Sequence, residues 1–259
     1  MITRFSALRA IIAGEVRRAA IERVRYIGDT VSSILTIYVV FLVVFYGFRG
    51  LAGPELPEAR LEVLLLVYLS WLFALTALQT FADEVSQEMQ RGTLEQLYLS
   101  PYGVWTILIV RAFVELLWSF VLVGVILFLI MWTTGVWVPV LNIRALGPLL
   151  IAIPGLWGVG IAFGGLILIN KRAQGLLQIL NFGLIGLVAV DAYPLGVASF
   201  LPFAAGSSTM RAVLLSDALP SASWLAFLAA VSAAYLLFGA VVYRVFEGIA
   251  KRRNLLGQY

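Results

Sequence analysis

Cysteine and histidine are both missing from this 259-residue chain. With them go disulfides, thiolate nucleophiles, imidazole bases and every Cys/His metal site, while nothing about redox compartment follows. Charge is scarce as well: Asp, Glu, Lys and Arg make up 12% of the residues, against about 25% in an ordinary soluble domain. The only lysines are Lys171 and Lys251, neither follows a glycine, and no G-x-x-x-x-G-K-[ST] occurs. The chain therefore has no P-loop with which to cradle nucleotide phosphates. No acidic residues gather at one level inside the apolar runs, which leaves little to catalyse with and no carboxylate chain to relay protons or cations.

Apolar length is what the chain has instead. Hydrophobic residues make up 62%, and charge-free runs cover 30–48, 63–82, 116–143, 145–170, 173–190 and 218–243. About 20 such residues cross a hydrocarbon core of about 30 Å. The runs predict an all-α polytopic membrane protein with six transmembrane helices at 30–48, 63–82, 101–133, 145–170, 173–190 and 218–243. A seventh run, 192–210, carries Pro194, Pro202 and Gly206-Ser207-Ser208-Thr209. These suit a broken or re-entrant extracellular segment within 191–217 better than a lipid-facing helix.

Six spans put both termini on one side, and that side then holds every basic residue except Arg49, Arg60, Arg144 and Arg211. The positive-inside rule makes it the cytoplasm, with 244–259 as a cytoplasmic tail and the cell (inner or plasma) membrane as the location. A seventh span would expel Lys251-Arg252-Arg253. Before the first span, Phe5, Leu8, Ile12, Val16, Ala19 and Ala20 recur at helical spacing among Arg9, Arg17, Arg18, Glu22 and Arg25. Such interleaving argues against a signal peptide. It predicts a basic amphipathic helix over 1–29 in the cytoplasmic headgroup layer. With no repeat or low-complexity linker, the chain reads as a single integral domain.

Inside the spans, Ala222, Ala226, Ala230 and Ala234 form a small-residue ridge, Gly160 and Gly164 a GxxxG, and Gly183 with Gly186 thins the fifth span; small residues let membrane helices approach closely. Trp105, Trp132, Trp137, Trp224 and Tyr243 lie near span ends, where amphipathic rings anchor at the interface. Arg111 and Glu115 stand at i, i+4 and are expected to pair near the cytoplasmic face, as a structural or gating ion pair. The middle of the bilayer offers Trp71, Trp118, Trp157, Tyr38, Tyr68 and Tyr235 among aliphatics, a lining that suits an apolar or amphiphilic cargo.

The one long polar stretch between apolar runs is 83–100. Glu84, Glu88 and Arg91 share a helical face, and Gly92 follows as a C′ stop. Thr93 is placed to cap a second helix, with Gln96 completing a capping box and Glu95 in the first turn. Ser100-Pro101 repeats the signal as N-cap and N1 of the third span. A helix, a sharp turn, a short helix and a long membrane helix are expected in that order.

The run Glu88-Met-Gln-Arg91-Gly92-Thr93-Leu94-Glu95-Gln-Leu97-Tyr-Leu-Ser100-Pro101 resembles the signature after the second span of type-2 ABC exporter permeases. There an acidic and basic cluster precedes Gly-Thr-Leu-Glu, a Leu and a Ser/Thr-Pro. The resemblance covers the whole chain in outline, although Leu201 stands where that family's stretch before the last span has Asn. It implies a transmembrane subunit that pairs with a second permease copy, as homodimer or heterodimer, and with separate nucleotide-binding ABC ATPase subunits. ATP and Mg would be held by those ATPases and no cofactor by this chain, which would itself be no enzyme; no nucleic acid is implied. Glu84, Glu88, Arg91, Gly92, Thr93, Leu94 and Glu95 would form the coupling segment that docks the ATPase, and the loop at 170–172 could add a second contact. Export of a drug, lipid, peptide or glycoconjugate is the expected activity. On the residues alone a secondary transporter or channel stays open, as does a polytopic membrane enzyme.

Overall fold

The computed structural model describes residues 4–52, 58–100, 102–139, 142–170 and 173–253. Among them every regular element is helical: α1 Arg4–Arg25, α2 Ile27–Ala52, α3 Glu58–Gln90, α4 Leu94–Leu99, α5 Val104–Thr134, α6 Ile143–Ile169, α7 Ala173–Ala189, a short 3-10 turn Val197–Phe200, α8 Ala204–Ser216 and α9 Ala222–Arg252. Five of these, α2, α3, α5, α6 and α9, are long and apolar enough to cross a membrane. That is the composition of a multi-pass membrane protein. The predicted fifth span is α7, with 17 residues; at 1.5 Å per residue it is about 25 Å long, the lower end of what crosses a bilayer.

Helix bounds depart from the charge-free runs in one consistent way. α3 continues through the polar residues as far as Gln90, and α9 continues into the expected tail as far as Arg252. Helix hydrogen bonding does not stop where the apolar stretch does; it stops where a residue such as Gly92, at φ +69°, turns the backbone.

Where the sequence shows no linker, the chain divides into two compact units: Met1–Pro54 with Glu95–Thr134, and Glu55–Leu94 with Gly135–Tyr259.

In the first unit α1 and α2 pack on α5. Only Tyr26 separates α1 from α2, and the backbone bonds Tyr26 N–H to Glu22 and Thr30 N–H to Tyr26 run through it. Ala19 of α1 is buried with Val110 and Val114 of α5, with Ile11 beside them. Phe41 and Phe45 of α2 are fully buried and stack at 5.6 Å, whereas Val31, Leu35, Val39, Val43 and Tyr46 are bare.

The second unit is built around α6, and its glycines decide how. A Cβ on Gly239 of α9 would fall inside the carbonyl oxygen of Gly158, and one on Gly158 inside that of Tyr235. A Cβ on Gly165 would sit 2.9 Å from Tyr243 Cα, and one on Gly155 3.5 Å from Ser232 Cα. The matched order 155, 158, 165 against 232, 235–239, 243 means that α6 and α9 run in the same direction. On another face, Gly160 meets the Leu78 carbonyl and Gly164 meets Phe81 and Val85, so α3 runs in that direction too. Backbone-to-backbone contact of this kind is how membrane helices associate without a hydrophobic drive.

The alanine ridge does not do this. Ala222, Ala226, Ala230 and Ala234 are all exposed, and α9 packs through Leu228, Ser232, Gly239 and Tyr243. Gly183 and Gly186 likewise have no atom within 4 Å of a would-be Cβ. Two of the expected interface anchors are also core residues. Trp224 is buried and its indole N–H donates to Thr209 Oγ1 at 2.8 Å, while Tyr243 lies against Gly165.

Candidate functional site

The turn after α3 is the best-defined local structure among the candidates. Gly92 N–H donates to the Met89 carbonyl at 3.1 Å and Thr93 N–H to the Glu88 carbonyl at 3.0 Å. With Gly92 at C′, these are the two bonds of a Schellman motif, and both need the left-handed backbone that glycine tolerates. The order helix, turn, short helix and long helix predicted from the sequence is what the chain forms.

The side chains are arranged differently from the expectation. Thr93 Oγ1 donates backwards to Glu88 Oε2 at 2.5 Å, closing the turn with a charge-assisted bond, and its described bonds do not reach forward to cap α4. Glu88 is buried, 5% exposed. It supports the turn from inside, away from the accessible tip. Arg91 is exposed and reaches Gln87 Oε1 at 3.3 Å. The accessible tip consists of Gln87, Gln90, Arg91 and Gly92, of which the sequence reading had chosen only the last two. Glu84 is half-buried, and the side chains of Leu94 and Glu95 lie outside the described residues.

α4 follows with Gln96 and Leu99 exposed. α5 begins at Val104 and not at Pro101, which lies outside the described residues, as do Lys171 and Arg172. Ser100 Oγ accepts from Tyr102 N–H at 3.4 Å, and Gly103, at φ +73°, makes the actual break before the helix.

Arg111 and Glu115 do not form the local pair that their spacing predicts. Arg111 Nε donates to Glu15 Oε1 at 3.0 Å, and Arg23 Nη2 to Glu115 Oε2 at 2.5 Å. Glu15 also takes Arg18 Nε at 3.3 Å, and the Arg23 guanidinium stands 5.2 Å over the Trp118 ring. Both α5 charges therefore serve to hold α1. A cross-helix partner wins because α1 brings opposite charge onto a low-dielectric surface, where an ion pair gains more than it does along one exposed helix face.

Sequence reasoning missed Arg211 as more than a stray charge. It is 5% exposed. Its guanidinium donates to the carbonyls of Val188, Ala189 (3.3 Å) and Val190 (2.8 Å), and it meets Asp191 Oδ1 at 3.4 Å. These carbonyls lie at and just past the end of α7, so a cation from α8 caps that helix's negative end, and Ser207 Oγ also donates to the Val188 carbonyl at 3.3 Å. Burial pulls the guanidinium pKa below its ordinary value and the Asp191 carboxylate opposes this.

The hydroxyls around Arg211 satisfy the irregular backbone in the same way. Ser208 Oγ accepts from Ala192 N–H and Tyr193 N–H at 3.0 and 3.1 Å, and Ser199 Oγ donates to the Ala192 carbonyl at 2.6 Å. The Pro- and Ser-rich segment is thus a built module of a 3-10 turn and a buried α8. Gly206 packs on Pro148 and Ala152 near the start of α6.

Among the described residues no group of three or more His, Cys, Asp or Glu could hold a metal ion. No family model matches the chain, and no curated protein matches it with significant similarity.

Proposed function

We propose that the chain is the transmembrane permease subunit of an ATP-driven exporter of the ABC class, working with a separate ATPase and a second permease copy. The observation that carries this reading is the turn at 84–100. A membrane-length helix is prolonged by a polar extension, closed by a glycine turn with an internal Glu88–Thr93 lock, and presents Gln87, Gln90 and Arg91 at its tip. A rigid polar knuckle on a helix of 33 residues is a lever: force applied at the tip reaches the membrane-spanning part directly. Closure of the paired ATPases on ATP would push this knuckle, tilt the first three spans and open a pathway at the permease dimer interface toward the outside. The ATPase must dock differently in the two states for any movement to follow.

Six spans with both termini in the cytoplasm are part of the proposal. Support comes from parity: α3, α6 and α9 run in the same direction, so an odd number of crossings separates α6 from α9. α7 supplies that crossing, since it leaves the end of α6 and finishes beside α8, which packs on the beginning of α6. The 191–217 module then stays at the outer surface. The apolar and aromatic character of the spans suits an apolar or amphiphilic cargo.

The test is co-expression with candidate ABC ATPases, purification in mild detergent, and assay of ATPase stoichiometry and of cargo-stimulated hydrolysis in liposomes. The proposal expects one ATPase per permease. A protein that remains alone with every candidate, yet moves solute down an ion gradient, would make it a secondary transporter instead.

A further inference from the structure

The ion pairs that tie α1 to α5 also fix which way α1 is turned, and the surface left bare has a consistent chemistry. The acidic residues of α1 are Glu15 and Glu22. Glu15 is committed to Arg111 and Arg18, and Glu22 is half-buried. The exposed residues of α1 from Arg9 to Arg25 include no acid. Apart from Ala10, Ala13, Gly14 and Ala20 they are Arg9, Arg17 and Arg25 set among Ile12, Val16, Ile21 and Val24, the last four 42, 47, 52 and 74% exposed. Arg9 and Arg17 have no ion-pair partner among the described residues, and Arg25 only leans on the ring of Tyr26 at 5.9 Å.

We propose that this face of α1 is a binding surface for anionic phospholipid, held in orientation by the clamp on α5. The inference rests on the placement of α1 in the cytoplasmic headgroup layer. Charge complementarity selects the occupant. A neutral bilayer would satisfy the aliphatic side chains but leave three guanidinium groups without counter-charge. A purely electrostatic partner would leave four large aliphatic side chains in water. A layer with phosphate at one depth and acyl chain just below it satisfies both. Arginine suits the role because its planar fork binds phosphate oxygens bidentately. The clamp adds a consequence: lipid bound to α1 bears on Arg111 and Glu115, and so on the first turns of α5.

The chain has no native cysteine, so Val24→Cys gives a single labelling site for an environment-sensitive fluorophore on the full-length protein. The probe is read in nanodiscs of phosphatidylcholine with a rising fraction of phosphatidylglycerol, using a lipid quencher placed at headgroup depth. Quenching is expected to rise with the phosphatidylglycerol fraction and to fall at raised salt. The combined Arg9→Gln, Arg17→Gln and Arg25→Gln variant is expected to need at least about tenfold more anionic lipid, since each basic residue near such a surface contributes to the attraction. The salt arm uses the unmutated charges and stands even if the triple variant folds poorly.

Equal quenching in neutral and anionic discs would overturn the proposal in favour of plain apolar burial. A probe unquenched in both, yet shielded by an added ATPase subunit, would overturn it in favour of a protein partner. None of these readouts needs the ATPase to bind, so failure here leaves the permease reading standing. Failure of ATPase co-purification likewise leaves the lipid surface standing.

Discussion

The two compact units are held together by different physics. In the second, α6 meets α3 and α9 through glycines with carbonyl oxygens pressed against Cα hydrogens, and 56% of the most apolar stretch of both α3 and α6 is buried. In the first, α1 is fastened to α5 by ion pairs around a small apolar patch, and 11% of the apolar stretch of α2 is covered. One contact depends on the absence of side chains and the other on their charge. Steric change should therefore break the second unit, and charge removal or salt should loosen the first.

The largest expected effect is at the α6–α9 crossing. Gly158→Val or Gly239→Val puts side-chain carbons into a facing backbone with no flexible group to yield, so more than about 4 kcal/mol of destabilisation is expected. Size-exclusion profiles and thermal unfolding in detergent would show no monodisperse protein. The matching control is Gly183→Ala or Gly186→Ala on α7, which meets open space. There a neutral effect or a gain of up to about 1 kcal/mol is expected. Equal damage at both sites would mean that the crossing is not where the unit is held.

Next comes the α7 cap. Arg211→Met removes a buried cation and its hydrogen bonds to the carbonyls of Val188, Ala189 and Val190, of which Val188 keeps Ser207 Oγ as a donor. A loss of about 3 kcal/mol is expected, read as a lowered Tm and faster proteolysis in 191–217. Arg211→Lys should recover part of it, because one ammonium cannot reach all of those acceptors.

On the charged side of the comparison, Glu15→Gln or Glu115→Gln is expected to cost about 1–2 kcal/mol, the pairs being only partly exposed. The wild-type α1–α5 contact should also weaken with salt while the α6–α9 contact does not. Hydrogen exchange of α1 against α9 at two ionic strengths measures this directly. The smallest effect is forecast for Ala226→Leu and Ala230→Leu, which lie on the bare alanine ridge and should change stability by less than about 0.5 kcal/mol.

Elements driven by one-dimensional pattern were legible before the structure. The apolar runs located α2, α3, α5, α6, α7 and α9, Gly92 marked the turn, and Gly160-x-x-x-Gly164 marked a close approach, whose partner the structure shows to be α3. Features that depend on a distant partner were not. The carbonyls that Arg211 caps lie on the preceding helix and carry no side-chain signature, so the residue read only as a charge on the outer side. Arg111 and Glu115 stand at a spacing that favours each other, and only the position of α1 shows that both are taken by Glu15 and Arg23. The alanine ridge failed for the converse reason. Small residues permit close approach but do not require it, and Gly158, Ser232 and Gly239, which have no comparable run, make the contact. Glu88 combined both difficulties, since a charged residue in a polar stretch reads as surface until its carboxylate is found bonded to Thr93.

The central claim is that the knuckle after α3 docks an ATPase, and Arg91 at its exposed tip is the residue with which to test it. The measurement is the molar ratio of ABC ATPase recovered with affinity-purified permease, wild type against Arg91→Glu, with the α1-to-α9 fold verified by thermal unfolding. The account predicts a ratio near one for wild type and a loss of at least about tenfold in the variant at unchanged stability. Full ATPase recovery with Arg91→Glu, or none with the wild type across all candidate partners, would contradict it.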